Sequence, residues 1–176
     1  KDEKITTLDG IERVLEETDV LITDGEKPVC LAGVMGGLES EVTDKTVNIT
    51  LEAAEFAPLA VRKTSSRLGL KSESSVRFER KIDSLRVKRA LDYAAQLMCE
   101  LCDASISSGV KSAYTKDYVD QVVEITADKV NRVLGTSLTD SKVNEIFDRL
   151  AYTYVKEDLV YKIVLPSRRM DLEPSV

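Results

Sequence analysis

Ala32-Gly33-Val34-Met35-Gly36-Gly37-Leu38-Glu39-Ser40-Glu41-Val42-Thr43 is the stretch on which the fold of this chain turns. Three glycines within five positions free the backbone for φ > 0 and let its N–H groups approach a neighbour closely, so the segment reads as a pocket wall or as a turn. Just before it, Val20-Leu21-Ile22-Thr23 and Pro28-Val29-Cys30-Leu31-Ala32 read as strands joined by Asp24-Gly25-Glu26-Lys27, an Asp-Gly hairpin signal. Just after it, Val47-Asn48-Ile49-Thr50-Leu51 alternates and is rich in β-formers, which predicts a strand with Glu52 at its end.

Further along, Pro58 suits the first turn of a helix running to about Arg67 and closed by Gly69. Residues 70–81 are polar and serine-rich and read as loop or short strand. Asp83-Ser84 offers an N-cap for the clearest helix, with Leu85, Ala90, Leu91, Ala94, Ala95, Leu97, Met98 and Leu101 as its apolar face. Ser105 to Gly109 approaches a boundary. Beyond it, Val122 to Ile125 predicts a strand, Thr126 caps a helix ending at Gly135, and Thr139 or Asp140 caps a second helix with Val143, Ile146, Phe147 and Leu150 as its stripe. A hairpin around Lys156-Glu157-Asp158 completes a small winged-helix-like module. The expected class is α+β: a mixed-sheet domain over 1–108 and the smaller module over 115–176.

Composition restricts the chemistry. With 43% apolar residues in 176 the chain can build a core, and no apolar run approaches a bilayer span. The N-terminal Lys1-Asp2-Glu3-Lys4 has no signal pattern, so a cytoplasmic location with no membrane contact is expected. Histidine is absent, which excludes Ser-His-Asp and Cys-His systems within the chain. Cys99 and Cys102 form a lone C-x-x-C that reads as buried small hydrophobes rather than a zinc site. Net charge is −6, yet residues 61–90 hold ten basic side chains against three acids. That basic island is either a phosphate-contacting face or a solvated helix surface. The glycine stretch fits neither G-x-G-x-x-G nor the P-loop pattern, so nucleotide binding is unsupported.

Several segments in register carry a resemblance. Thr7-Leu8-Asp9-Gly10, Leu31 to Gly37, Glu41-Val42-Thr43, Leu51-Glu52-Ala53, Arg62-Lys63-Thr64-Ser65, Arg67-Leu68-Gly69-Leu70, Ser72 to Arg80 and Pro166-Ser167-Arg168-Arg169-Met170-Asp171 together resemble the β-subunit family of bacterial phenylalanyl-tRNA synthetases. Residues 1–108 look like most of the B3/B4 editing domain and those from about 115 like part of B5.

The resemblance implies post-transfer editing, the hydrolysis of tyrosine wrongly esterified to the tRNA for phenylalanine, in a subunit that supports charging of that tRNA. Glu52 matches the glutamate that contacts the tyrosyl phenol. A carboxylate rewards the phenol with a hydrogen bond and penalises phenylalanine, which would leave it desolvated and unpaired. Gly36 and Gly37 match glycines lining the pocket; Ser72 and Ser74 match small residues of the opposite wall, Ser74 where alanine is usual. No catalytic residue is assigned, since the family places hydrolysis largely on a positioned water and the terminal ribose.

Arg62, Lys63, Arg67 and Arg77 are the candidate RNA contacts. Asp171 matches the first of a set of magnesium carboxylates whose other members would follow Val176, so no metal or other cofactor is expected on this segment. Magnesium and ATP belong to the whole enzyme, an α2β2 heterotetramer with tRNA as its nucleic-acid partner and no expected DNA. The family's domain begins upstream of Lys1, so the segment alone is expected to be inactive. Two alternatives remain: a non-catalytic tRNA- or subunit-docking module working through residues 61–90, and a structural spacer.

Overall fold

The structure, a computed structural model, describes residues 3–113 and 119–172. It divides into two compact units, Lys1–Ser108 and Gly109–Val176.

In the first unit, β1 (Lys4–Thr6) and β2 (Glu12–Val14) pair antiparallel around a turn that Gly10 closes at φ 76°. Thr7 is fully buried there; its hydroxyl donates to Asp9 (2.6 Å) and accepts from Arg13 Nε (2.9 Å). The predicted hairpin follows as β3 (Leu21–Thr23) and β4 (Pro28–Leu31), and the Asp24 carboxylate accepts from the N–H groups of Glu26 and Lys27, both at 2.9 Å. The glycine stretch turns the chain back, so that β5 (Met35–Gly36) pairs with β4 and the sheet runs β3-β4-β5. The sheet component thus takes the form of small antiparallel ribbons. Helices α1 (Pro58–Leu68), α2 (Glu73–Phe78) and α3 (Ser84–Cys102) follow. Pro58 opens α1 and Gly69, left-handed at φ 64°, ends it. Ile5, Leu15, Leu31, Val34, Val61 and Leu70 form the core.

Several expectations are corrected. Residues 47–51 form no strand: Val47 is 90% exposed, and no described strand pairs with this run. β-propensity expresses packing on a sheet surface and has no effect without a partner edge. Residues 73–78 are helix, because Ser72 and Ser75 form a reciprocal capping box that starts α2 inside a serine-rich run. Helix α3 begins on its Asp83 cap but contains no fully buried residue; Leu85 and Leu101 of its apolar face are exposed. Cys99 is half-buried and Cys102 exposed, so they are not the buried hydrophobes expected.

The second unit follows the predicted order: β6 (Gln121–Thr126), α4 (Ala127–Leu134), α5 (Asp140–Arg149), β7 (Thr153–Glu157) and β8 (Val160–Leu165). Thr126 and Thr139 cap the helices by accepting from the N–H groups of Lys129 and Lys142. The antiparallel sheet runs β6-β8-β7, and central β8 turns Tyr161, Ile163 and Leu165 inward against Val143. Phe147 meets the rings of Tyr154 and Tyr161, each at 5.4 Å. Leu150, expected in the stripe, is exposed at the end of α5.

Candidate functional site

A cavity of about 610 Å³ opens in the first unit between the β4–β5 turn, the segment before α1, and helices α2 and α3. That volume is in the range of small-molecule sites. Gly33 sets its floor. At φ 68° the turn is left-handed, and a Cβ there would lie 3.0 Å from Phe56, 3.1 Å from Val61 and 3.2 Å from Phe78. Only glycine lets the two phenylalanines close over the turn, and their rings stand 5.0 Å apart.

Two serines join α2 to this turn. The Ser72 hydroxyl donates to the Val34 carbonyl (2.6 Å) while accepting from Ser75 N–H (3.0 Å). The Ser74 hydroxyl donates to the Gly33 carbonyl at 3.1 Å. Both hydroxyl protons are committed to backbone carbonyls, so these side chains fix the wall. Leu8, whose N–H donates to the Gly36 carbonyl (3.0 Å), covers Gly36; a Cβ on Gly36 would come within 3.1 Å of Leu8 Cδ1.

Glu52 lines the cavity on a segment that is neither helix nor strand. The residue is exposed to solvent, while burial on the cavity side raises its carboxyl pKa above the ordinary 4.5. Cys30 faces the same space; burial and then the Glu52 charge push its thiol up, and the thiol contacts the Met35 carbonyl at 3.6 Å. A thiol held protonated in this way is a poor nucleophile.

The structure therefore brings Glu52, Gly36, Ser72 and Ser74 to one cavity. Gly37 is a correction: it lies on a separate depression beside Lys4 and Ser40. Its N–H donates to the Val29 carbonyl at 2.8 Å and a Cβ would stand 2.7 Å from that oxygen, so backbone proximity in the sheet demands this glycine. Sequence reasoning missed Cys30, Phe56, Phe78 and Arg86 as lining residues, whereas Gly33 lies in the stretch read as a pocket wall or a turn. The positive φ expected in that stretch occurs at Gly33; for the others no sequence signal exists, because chain turns bring them together.

The RNA-contact candidates divide. Arg62 and Lys63 are exposed on α1 and form no ion pair among the described residues. Arg67 instead pairs with Asp19, whose side chain is 1% exposed, and reaches the Val14 carbonyl at 3.3 Å. Arg77 pairs with Glu73 at 2.8 Å in an exposed contact on α2. Asp171 is engaged by an arginine. Both its oxygens accept from Arg169, each at 2.8 Å, which holds the carboxyl down at about 2, and no cluster of three metal-ligating side chains occurs among the described residues. No described helix is long and apolar enough to cross a membrane.

Comparison with known proteins places the sequence in a family. Residues 1–103 match the B3/4 domain family and residues 123–176 the tRNA synthetase B5 domain family. The chain is 46% identical over 175 residues to the phenylalanine–tRNA ligase beta subunit of Geobacter metallireducens, covering 99% of this chain and 22% of that protein. It is 46% and 43% identical over 170 residues to the same-named subunits of Streptococcus pneumoniae and Bacillus cereus, covering 97% of this chain and 21% of each of those proteins. It thus spans about a fifth of the length of the curated relatives it matches. By these matches the chain belongs to the phenylalanine–tRNA ligase β-subunit family, of which it carries the B3/4 domain followed by B5 sequence.

Proposed function

We propose that the cavity is the amino-acid-selecting part of an editing site that hydrolyses tyrosyl-tRNA made in error on the tRNA for phenylalanine. The observation that carries this reading is one cavity lined by a carboxyl, Glu52, together with Gly33, Gly36, Phe56 and Phe78. Gly36 lies on a wall closed by the movable Leu8 side chain, the phenylalanines supply an apolar surface, and Glu52 accepts a hydrogen bond from the phenol. Phenylalanine in the same slot would bury Glu52 without a partner, a penalty of about 1–3 kcal/mol for an unsatisfied polar group. Because burial raises the Glu52 pKa, its accepting form is lost on acidification at a higher pH than for an ordinary glutamate.

Hydrolysis adds water across the ester: hydroxyl to the acyl carbon, proton to the ribose oxygen. The chain contains no histidine, and the Cys30 thiol is held protonated, so its own contribution is binding and orientation. Within the whole synthetase the partners are the tRNA and the α subunit, in a heterotetramer with a cytoplasmic location. ATP and magnesium serve the charging reaction, and no step is assigned to either here. The basic segment supports tRNA contact through Arg62 and Lys63, with Arg67 given to structure.

Gly36→Trp tests the reading. Its backbone is not left-handed and its nearest neighbour is the movable Leu8 side chain, so an indole placed there fills the cavity. Tyrosine release from mischarged tRNA by the intact synthetase is expected to fall by about two orders of magnitude, the scale at which a misplaced reacting group loses its rate. Release at the unmodified rate would remove the cavity from the reaction.

A further inference from the structure

The cavity is lined by one cation, Arg86, and one anion, Glu52, and they do not neutralise each other. Burial alone shifts Glu52; no cation lowers its pKa. Arg86 projects from the third residue of α3, is exposed, and is paired with no carboxylate among the described residues. A guanidinium on an otherwise apolar wall beside Ile82, Val87 and Ala90 is therefore available for an anion that enters with the ligand.

The ligand expected here has matching polarity. A tyrosyl ester carries a phenol donor at one end and, past the ribose, a phosphodiester at the other. With the phenol on Glu52, the nucleotide end must occupy the remainder of a cavity larger than a single side chain requires. We propose that Arg86 binds the phosphate of the RNA 3′-terminal nucleotide and so holds the ester end of the substrate over the cavity. This assignment rests on the editing reading. Planar guanidinium donors suit phosphate oxygens, and the contact releases a counterion from the strand. The other anion with access to Arg86 is the carboxylate of free tyrosine, which the test separates.

Deacylation of tyrosyl-tRNA is measured with the intact synthetase carrying Arg86→Ala or Arg86→Lys, at several salt concentrations, with free tyrosine as inhibitor. Arg86→Ala is expected to raise KM about tenfold with kcat within about twofold, and to reduce the salt slope of kcat/KM by roughly 0.7. Arg86→Lys restores most of the KM and the slope, and inhibition by free tyrosine is unchanged. An unaltered KM and slope in Arg86→Ala overturns the assignment, as does weakened tyrosine inhibition with normal KM, which would give Arg86 to the carboxylate. Gly36→Trp run alongside separates the failures. If it leaves tyrosine release intact, the editing reading itself fails; if it abolishes release while Arg86→Ala changes nothing, only the phosphate contact fails.

Discussion

Gly33→Val is expected to destabilise the first unit by about 3 kcal/mol, combining left-handed strain for a β-branched residue with overpacking of a filled site. The turn sits at φ 68°, and the new Cβ would meet Phe56, Val61 and Phe78 at 3.0–3.2 Å. Val61 is 2% exposed and anchored in the core, so it has little room to retreat. Displacing the turn would also pull the Gly33 and Val34 carbonyls off Ser74 and Ser72, loosening α2. Gly69→Ala is the control: its φ is 64° but nothing lies within 4 Å, so only the backbone cost of about 1 kcal/mol remains. Urea unfolding of the chain measures both, and equal losses at the two glycines would contradict the packing argument.

Asp19→Ala is expected to cost about 3 kcal/mol, the scale for removing one partner from a buried, hydrogen-bonded charge pair. The Asp19 carboxylate accepts from the Thr64 hydroxyl (2.6 Å), the Glu16 N–H (2.9 Å) and Arg67. Its loss leaves a buried Thr64 hydroxyl without its acceptor and removes the buried carboxylate from Arg67, which keeps the Val14 carbonyl (3.3 Å) and Glu16 (3.5 Å). Arg67→Ala should cost less, because Asp19 retains two donors and Arg67 has access to water. Thermal unfolding compares the two variants; Asp19→Ala no worse than Arg67→Ala would mean that the carboxylate contributes as a surface charge only. For a basic residue in the sequence island, the result also separates a structural role from a nucleic-acid one.

Local chemistry explains which parts of this fold could be read from sequence. The Asp24-Gly25 turn, the Pro58 start, the Gly69 and Gly135 ends and the Thr126 and Thr139 caps each act within a few residues, and each stands where its residue type predicts. The failures need information from elsewhere in the chain. Residues 47–51 have strand propensity without a partner edge, and the α3 face is half-buried at Leu91, Ala94, Ala95, Leu97 and Met98 but exposed at Leu85 and Leu101. For α2, a local signal did exist in Ser72 and Ser75, hidden by a polar run that reads as loop. At the site, Glu52 and Ser72 match a family pattern, whereas Phe78 and Arg86 enter only when α2 and α3 close on the same space. Gly37 illustrates the opposite error: adjacent glycines invite one explanation, yet one faces the cavity and the other a carbonyl in the sheet.

The role proposed for Glu52 is to read the phenol. Rates of deacylation of tyrosyl- and phenylalanyl-tRNA, measured side by side with the intact synthetase and its Glu52→Ala variant, test it most directly. The expected result is a tyrosine-to-phenylalanine preference reduced by about ten- to a hundredfold, the ratio that a penalty of about 1–3 kcal/mol supports. Glu52→Gln, which keeps an acceptor oxygen without the charge, should fall between the two. An unchanged preference in Glu52→Ala, with tyrosine released at the original rate, would contradict the account.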